Sequence, residues 1–273
     1  MFEYRYKNLF IKAIGIGGIE TVYILPELSI SFDVGRCPDP LVDTSRIFLT
    51  HGHLDHSAGL PYYFSQRALK RLPPGEAFVH ERLVEPLTRI IQTWHEIEGF
   101  QYEIKINAIK PGEYINIKNE YFVTPLKSYH RVPCQGYALL RRSKKLLPQY
   151  LNLKGEKIKE LKESGLNIFE ERDIPLFAFS GDSTIEFIQE NQLARRAQVL
   201  FIECTYIDEK RPVAKAREWG HIHLDEIIEN ADLFENERIV LTHFSKRYSP
   251  NMIRNTLKTK LPKSLQSRVD VLF

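Results

Sequence analysis

Apolar residues fall into short runs cut by glycine, proline and charge, and the period of those runs changes along the chain. The early runs are strand-like. Leu9–Ile14, Thr21–Leu25 and Leu28–Asp33, with a tight turn after Pro26 at Glu27-Leu28, predict an N-terminal meander. Arg46-Ile47-Phe48-Leu49-Thr50 is a short β-rich apolar run of the kind that forms a buried strand. Leu60–Arg71 and Glu81–Glu98 predict helices, parted by the Pro-Pro-Gly turn at 73–75. Tyr102–Ile109, Tyr114–Lys118, Tyr121–Leu126 and Gly136–Arg141 predict a second meander, turning at Lys110-Pro111-Gly112 and Lys118-Asn119. In the lysine-rich span Arg141–Glu163, residues Glu156–Glu163 predict a helix. The last third alternates strand and helix: Leu176–Ser180, Thr184–Asn191, Val199–Ile202, Leu224–Phe234, Arg238–Leu241, Pro250–Lys260 and Arg268–Leu272. Grouped strands followed by alternating elements predict a mixed α/β (α+β) architecture.

At 273 residues the chain can bury a full core, and a single domain over 1–273 is expected. A composition of 43% hydrophobic and 27% charged residues excludes a disordered chain. Met1 to Lys7 lack the apolar stretch of a secretory leader, and no run approaches the ~18 apolar residues of a membrane span. Cys37, Cys134 and Cys204 are odd in number and form no CxxC pair. A cytoplasmic protein without membrane contact is the expectation. The cysteines are expected to be small buried hydrophobes rather than nucleophiles. A net charge of +3 permits a nucleic-acid partner without demanding one.

The chemistry concentrates in Thr50-His51-Gly52-His53-Leu54-Asp55-His56, where three histidines and an aspartate follow a strand. Four such polar side chains are badly suited to a core. Imidazole and carboxylate are ligands for Zn²⁺ and related ions. In a strand-end loop residues two apart can point the same way, so His51 and His53 can share one ion while Asp55 and His56 reach another.

The run His51-x-His53-x-Asp55-His56 resembles the signature of the metallo-β-lactamase superfamily. His130, Asp182 in Phe179-Ser180-Gly181-Asp182-Ser183, and His243 in Ile239-Val240-Leu241-Thr242-His243 follow in that family's order, so the resemblance runs from Asp33 to Tyr248. It implies two mixed sheets face to face with helices outside, a four-layer αβ/βα sandwich with metals at one edge. It further implies two divalent ions, Zn²⁺ first with Mn²⁺ or Fe²⁺ as alternatives. His130 would complete the first site and His243 the second, with Asp182 bridging them. Asp33 matches an acidic strand end that supports the ligands, or is simply a turn carboxylate before Gly35.

Three further segments resemble the ribonuclease Z (tRNA 3′-processing endonuclease) branch. They are Glu203-Cys204-Thr205-Tyr206, Trp219-Gly220-His221-Ile222-His223 and Thr242-His243-Phe244-Ser245-Lys246-Arg247-Tyr248. His130-Arg131-Val132-Pro133 with Gly136-Tyr137 points the same way. The resemblance implies a phosphodiesterase acting on precursor tRNA, assembled as a homodimer. It places His221, poised by Glu203, as proton donor to the leaving oxygen. The family carries a hydroxyl residue where this chain has His223, so the donor is His221 or His223, and either can instead cap the helix near Leu224. Arg247 is a candidate for holding a substrate phosphate, or for a surface ion pair. No Gly-Pro-rich tRNA-gripping arm is legible. The lysines of 141–163 can follow an RNA backbone or form a solvated helix face. Gly15-Ile16-Gly17-Gly18 reads as a tight turn, or less readily as a phosphate contact. The rival readings are a same-fold hydrolase of a small phosphodiester such as a cyclic nucleotide, of a thioester or of a lactone, and a non-catalytic RNA-binding scaffold.

Overall fold

The computed structural model describes residues 1–273. The first sheet is β1 (Phe2–Tyr6), β2 (Leu9–Gly17), β3 (Glu20–Leu25), β4 (Ile30–Phe32), β5 (Arg46–Phe48), β6 (Glu76–Val79) and β7 (Lys105–Ala108), in that spatial order. Seven further strands, β8 (Ile115–Lys118), β9 (Tyr121–Lys127), β10 (Gln135–Leu146), β11 (Phe169–Phe179), β12 (Val199–Glu203), β13 (Arg238–Thr242) and β15 (Val269–Val271), make the second. Between β13 and β15 the chain forms β14 (Phe244–Ser245), which pairs with β2 of the opposite sheet.

Period-two burial explains the outer strands. In β2, Leu9, Ile11 and Ala13 turn inward while Phe10, Lys12 and Ile14 are half-exposed. The central parallel strands are buried on both faces. In β12, Val199 and Phe201 enter the core between the sheets, whereas Leu200 and Ile202 pack outward on helices. The middle layer is aromatic, with Tyr23, Phe32, Phe48, Tyr137, Phe177, Phe179 and Phe201. Each such side chain contributes roughly 1.5–3 kcal/mol by burial. Tyr137 also ties the sheets together, with its hydroxyl 2.9 Å from the Leu49 carbonyl.

Helices cover both outer faces. The short α1 (Asp39–Val42) and α2 (Leu54–Ser57) precede α3 (Leu60–Leu69) and α4 (Glu81–Glu98). Leu41, Tyr63, Phe64, Leu87 and Ile91 seal the first sheet. After α5 (Gly155–Glu163), the second sheet is covered by α6 (Glu186–Glu190), α7 (Gln192–Arg196), α9 (Leu224–Glu229), α10 (Pro250–Lys260) and α11 (Lys263–Gln266), with α8 (Val213–Trp219) set before α9. The four-layer αβ/βα sandwich is the arrangement expected. No helix is long and apolar enough to cross a membrane. All three cysteines are unpaired, and burial pushes the Cys134 thiol up to about 11.

Several expectations need correction. The run at Tyr102–Ile109 is not part of the second meander: its core, β7, pairs with β6 in the first sheet. β1 and β6 fall outside the strands expected, and Leu28 lies in a single 3-10 turn before β4. The lysine-rich span is a projecting arm. Beyond Arg141, β10 has lost β9 and pairs only with β11, from Arg142↔Asp173 to Leu146↔Phe169. This two-stranded ribbon leads into α5, which buries nothing. Many of its cations are matched locally, as in Arg142–Asp173, Lys144–Glu171 and Lys157–Glu160, while Lys145, Lys154 and Lys162 have no ion pair.

Candidate metal centre

The parallel strands β5, β11, β12 and β13 deliver the site from their carboxyl ends, joined by the loop after β9. The leading histidine cluster is not extended throughout. His51 lies in a bridge to Cys134, His53 stands at the N-cap of α2, and Asp55 and His56 occupy that helix's first turn. This helical turn separates the first histidine pair from Asp55 and His56. His243 sits where β13 hands over to β14, in a left-handed backbone with φ of 62°. Tight glycines make room for this handover: a Cβ at Gly17 would lie 2.6 Å from the His243 carbonyl oxygen.

All seven candidate ligands converge. His51, His53, His130 and Asp182 form one group with ligand atoms within 4.8 Å, and Asp55, His56 and His243 form another. Asp182 faces both groups. Its Oδ2 lies 3.7 Å from His51 Nε2, while Oδ1 lies 3.3 Å from His56 Nε2 and 3.2 Å from His243 Nε2. Asp55 Oδ2 is 3.6 Å from His56 Nε2 and 3.5 Å from His243 Nε2, and accepts the Gly18 N–H at 2.9 Å.

Partners behind the ring fix the tautomers. Asp33 is fully buried and accepts from Thr50 N–H at 2.7 Å and from His56 Nδ1 at 2.7 Å. It therefore supports the cluster rather than capping a turn. Thr50 gives its hydroxyl proton to Asp33, so its oxygen accepts from His51 Nδ1 at 3.0 Å. His130 Nδ1 donates to the Gly220 carbonyl at 2.8 Å. Thr205 donates its hydroxyl to Glu203 at 2.7 Å and accepts from His243 Nδ1 at 3.0 Å. Each of these imidazoles thus turns a bare Nε2 lone pair inward.

The inward atoms have no protein partner. His51 Nε2, His56 Nε2, His243 Nε2 and Asp182 Oδ1 are buried without a hydrogen bond. Leaving such groups unsatisfied costs about 1–3 kcal/mol each. His53 Nδ1 and His130 Nε2 lie only 3.3 Å apart, two ring nitrogens aimed at one point. A nitrogen-oxygen donor set of this kind fits divalent transition ions.

His221 stands at the rim. Its Nδ1 donates to Glu203 Oε1 at 2.8 Å, and its ring stacks on His243 at 5.6 Å. Burial disfavours its charge, but the Glu203 carboxylate overrides burial and holds the pKa up at about 9. Glu203 is itself fully buried and anchors more than His221. It also accepts the N–H groups of Ser183 at 3.0 Å and Thr205 at 3.1 Å. His223 needs correction as a catalytic candidate. It caps α9, accepting from Asp225 N–H at 3.1 Å, while Nε2 lies 3.2 Å from the Asp208 carbonyl. With both nitrogens committed it has no proton to give elsewhere. Arg247 is exposed and has no ion pair, two residues beyond β14. Thr205 is the supporting residue that residue type alone does not single out. Its only sequence signal is its place two residues after Glu203.

Fold and cluster together define a metal-dependent hydrolase. A Beta-lactamase superfamily domain matches residues 34–244. tRNase Z TRZ1 of Arabidopsis thaliana is 35% identical over 264 residues, 96% of this chain and 94% of that protein. The chloroplastic tRNase Z TRZ2 of the same plant is 36% identical over 261 residues, 95% of this chain and 73% of its own length. Human short-form tRNase Z shares the fold at 19% identity and a TM-score of 0.62, over 96% of this chain and 95% of that one. YhfI from Bacillus subtilis does so at 16% identity and a TM-score of 0.65, over the same shares. This chain belongs to the β-lactamase superfamily and, within it, to the tRNase Z family.

Proposed function

We propose that the protein is an endoribonuclease that removes the 3′ trailer of precursor tRNA with two divalent ions, Zn²⁺ foremost. His51, His53 and His130 would hold one ion, Asp55, His56 and His243 the other, and Asp182 both. Bound there, the ions supply Lewis-acid polarisation of the phosphoryl group and a water acidic enough to attack at neutral pH. The chain's own residues do the rest. Asp33, Thr50, Thr205 and the Gly220 carbonyl keep the ligand nitrogens aimed inward. His221 holds one proton on Nδ1 against Glu203, leaving Nε2 to protonate the departing 3′-oxygen.

The observation that carries this reading is the Glu203–His221 pair beside seven convergent ligands. A thioester hydrolase has less need of such a donor, because its leaving thiolate is stable near neutral pH. The projecting arm supports an extended substrate over a small phosphodiester, since Lys145, Lys154 and Lys162 are free to meet an RNA backbone. Arg247 is proposed as a phosphate contact near His243. Assembly as a homodimer is proposed on the family resemblance and is read by sedimentation. The deciding experiment is incubation of Zn²⁺- or Mn²⁺-loaded protein with a precursor tRNA carrying a 3′ trailer. Release of the trailer with a 3′-hydroxyl left on the tRNA is expected. Hydrolysis of thioesters or lactones with no RNA cleavage would refute the proposal.

A further inference from the structure

A cleft of about 560 Å³ opens directly beside His130, between the start of α4, the loop after β9 and the end of α8. His80, Arg82, His130, Arg131, Arg217 and Gly220 contribute to its wall, and no carboxylate does. The three arginines are not equivalent. Arg217 is committed: its Nε donates to the buried Glu226 at 2.6 Å, and its outer nitrogen lies 3.5 Å from Glu186. Arg82 and Arg131 are exposed and have no ion pair or side-chain hydrogen bond. The nearest acid along the chain, Glu81, is held 2.7 Å from Lys110.

Both free arginines are mounted on the site. Arg131 directly follows His130, and its guanidinium lies over the Trp219 ring at 4.8 Å. Trp219 immediately precedes Gly220, whose carbonyl holds His130, and His221 comes next. The Trp219 ring is part-exposed and carries cations, Arg131 and also Lys215, whose Nζ lies 5.6 Å from its centroid. At the start of α4 His80 accepts the Arg82 N–H at 3.2 Å, which fixes where that side chain starts. Burial holds the His80 pKa below its ordinary value, so the ring stays a neutral acceptor.

We propose that this cleft is a subsite for the nucleotide flanking the scissile phosphate. Arg82 and Arg131 bind its phosphate from two walls, and Trp219 is a positioning residue that holds Arg131. The inference rests on the proposed ribonuclease function. A planar guanidinium grips phosphate in two-pronged fashion, and a wall without carboxylates leaves that charge unspent. Because each arginine is carried by the loop that carries His130 or by the element facing it, a phosphate seated here sets the register of the RNA against the metal ligands.

The test is steady-state kinetics of the metal-loaded protein on precursor tRNA and on bis(p-nitrophenyl) phosphate. Arg82→Ala and Arg131→Ala should each lower kcat/KM for RNA by about tenfold, and each should reduce the salt dependence by roughly one phosphate contact. The loss on the small diester, which has no flanking phosphate, should be several-fold smaller. Trp219→Ala should reproduce part of the Arg131→Ala loss, and Trp219→Phe should restore it. A short RNA with single methylphosphonate linkages locates the contact. One neutral linkage should cost the wild type more than it costs either single arginine variant, and should cost the Arg82→Ala/Arg131→Ala double variant nothing further, as a double-mutant cycle requires of coupled groups. Equal losses on both substrates, or losses that multiply at every linkage, would overturn the subsite. Wild-type protein that cleaves no RNA would refute the ribonuclease function and the subsite together. Normal RNA cleavage by both arginine variants would refute the subsite alone.

Discussion

Glu203→Gln separates a residue that merely orients an imidazole from one that holds the site together. Residue type suggests the first role. The structure assigns four donors to this one buried carboxylate: Ser183 N–H and His221 Nδ1 on Oε1, and Thr205 N–H and hydroxyl on Oε2. Glutamine keeps one acceptor oxygen and replaces the other with a donor. If the amide nitrogen faces the first pair, His221 can change tautomer, but Ser183 N–H is stranded. If it faces the second, Thr205 N–H is stranded and the hydroxyl must turn away from its acceptor. A stranded buried donor costs about 1–3 kcal/mol, and the lost charge-assisted bond adds about 1.5–3, so roughly 3–5 kcal/mol is expected. That corresponds to a fall in melting temperature on the order of 10 °C for a chain of this size. The damage reaches the ligands, because Ser183 follows Asp182 and Thr205 props His243. Metal affinity should drop by about 10–100-fold, the scale seen when groups behind ligands are removed. The assay is competition with a chromophoric chelator, alongside melting of the metal-free and Zn²⁺-loaded proteins. Wild-type metal affinity and melting with only kcat reduced would refute this and return Glu203 to a purely orienting role.

His221→Ala should behave oppositely, with metal content near wild type and kcat on RNA down by ~10²–10⁴. The defect should shrink on bis(p-nitrophenyl) phosphate, whose leaving group needs little protonation, and metal loss in this variant would make His221 a ligand instead. Asp182→Ala should abolish binding of both ions, whereas His53→Ala, at an exposed position in one group, should weaken only one. Metal analysis after dialysis distinguishes the two outcomes. Gly15→Ala would put a Cβ 2.0 Å from Thr242 Oγ1 and 2.6 Å from the Tyr23 hydroxyl, against a buried pair hydrogen-bonded at 2.7 Å. A loss of ~1–3 kcal/mol from overpacking is expected in denaturant titration, and a stability equal to wild type would show that β2 can slide without cost.

The candidate metal ligands were legible because their type is costly anywhere else. Histidines and aspartates that close apolar runs must meet water, a partner or an ion, and residues 51–56 declare this within one short stretch of chain. Helix α4 was legible for a similar reason, since a long amphipathic period survives any tertiary context. Short strands were not. Nothing local tells Lys105–Ala108 to pair with β6 rather than β8, because pairing is a choice among distant partners of equal propensity. His223 and His221 are two residues apart and alike in type, and only the helix start at Leu224 makes one a cap and leaves the other to Glu203. The arm lacked any motif because it is built from an ordinary ribbon that outruns its sheet, which becomes visible only where β10 and β11 continue past Tyr121, the first residue of β9. The cleft beside His130 joins residues from three separate elements, so no spacing along the chain could announce it. The sequence by itself determined which atoms can bind metal, since that depends on side-chain chemistry. The tertiary structure decided which nitrogens point inward, which cations remain free and what lies beside them, because those depend on partners brought from far along the chain.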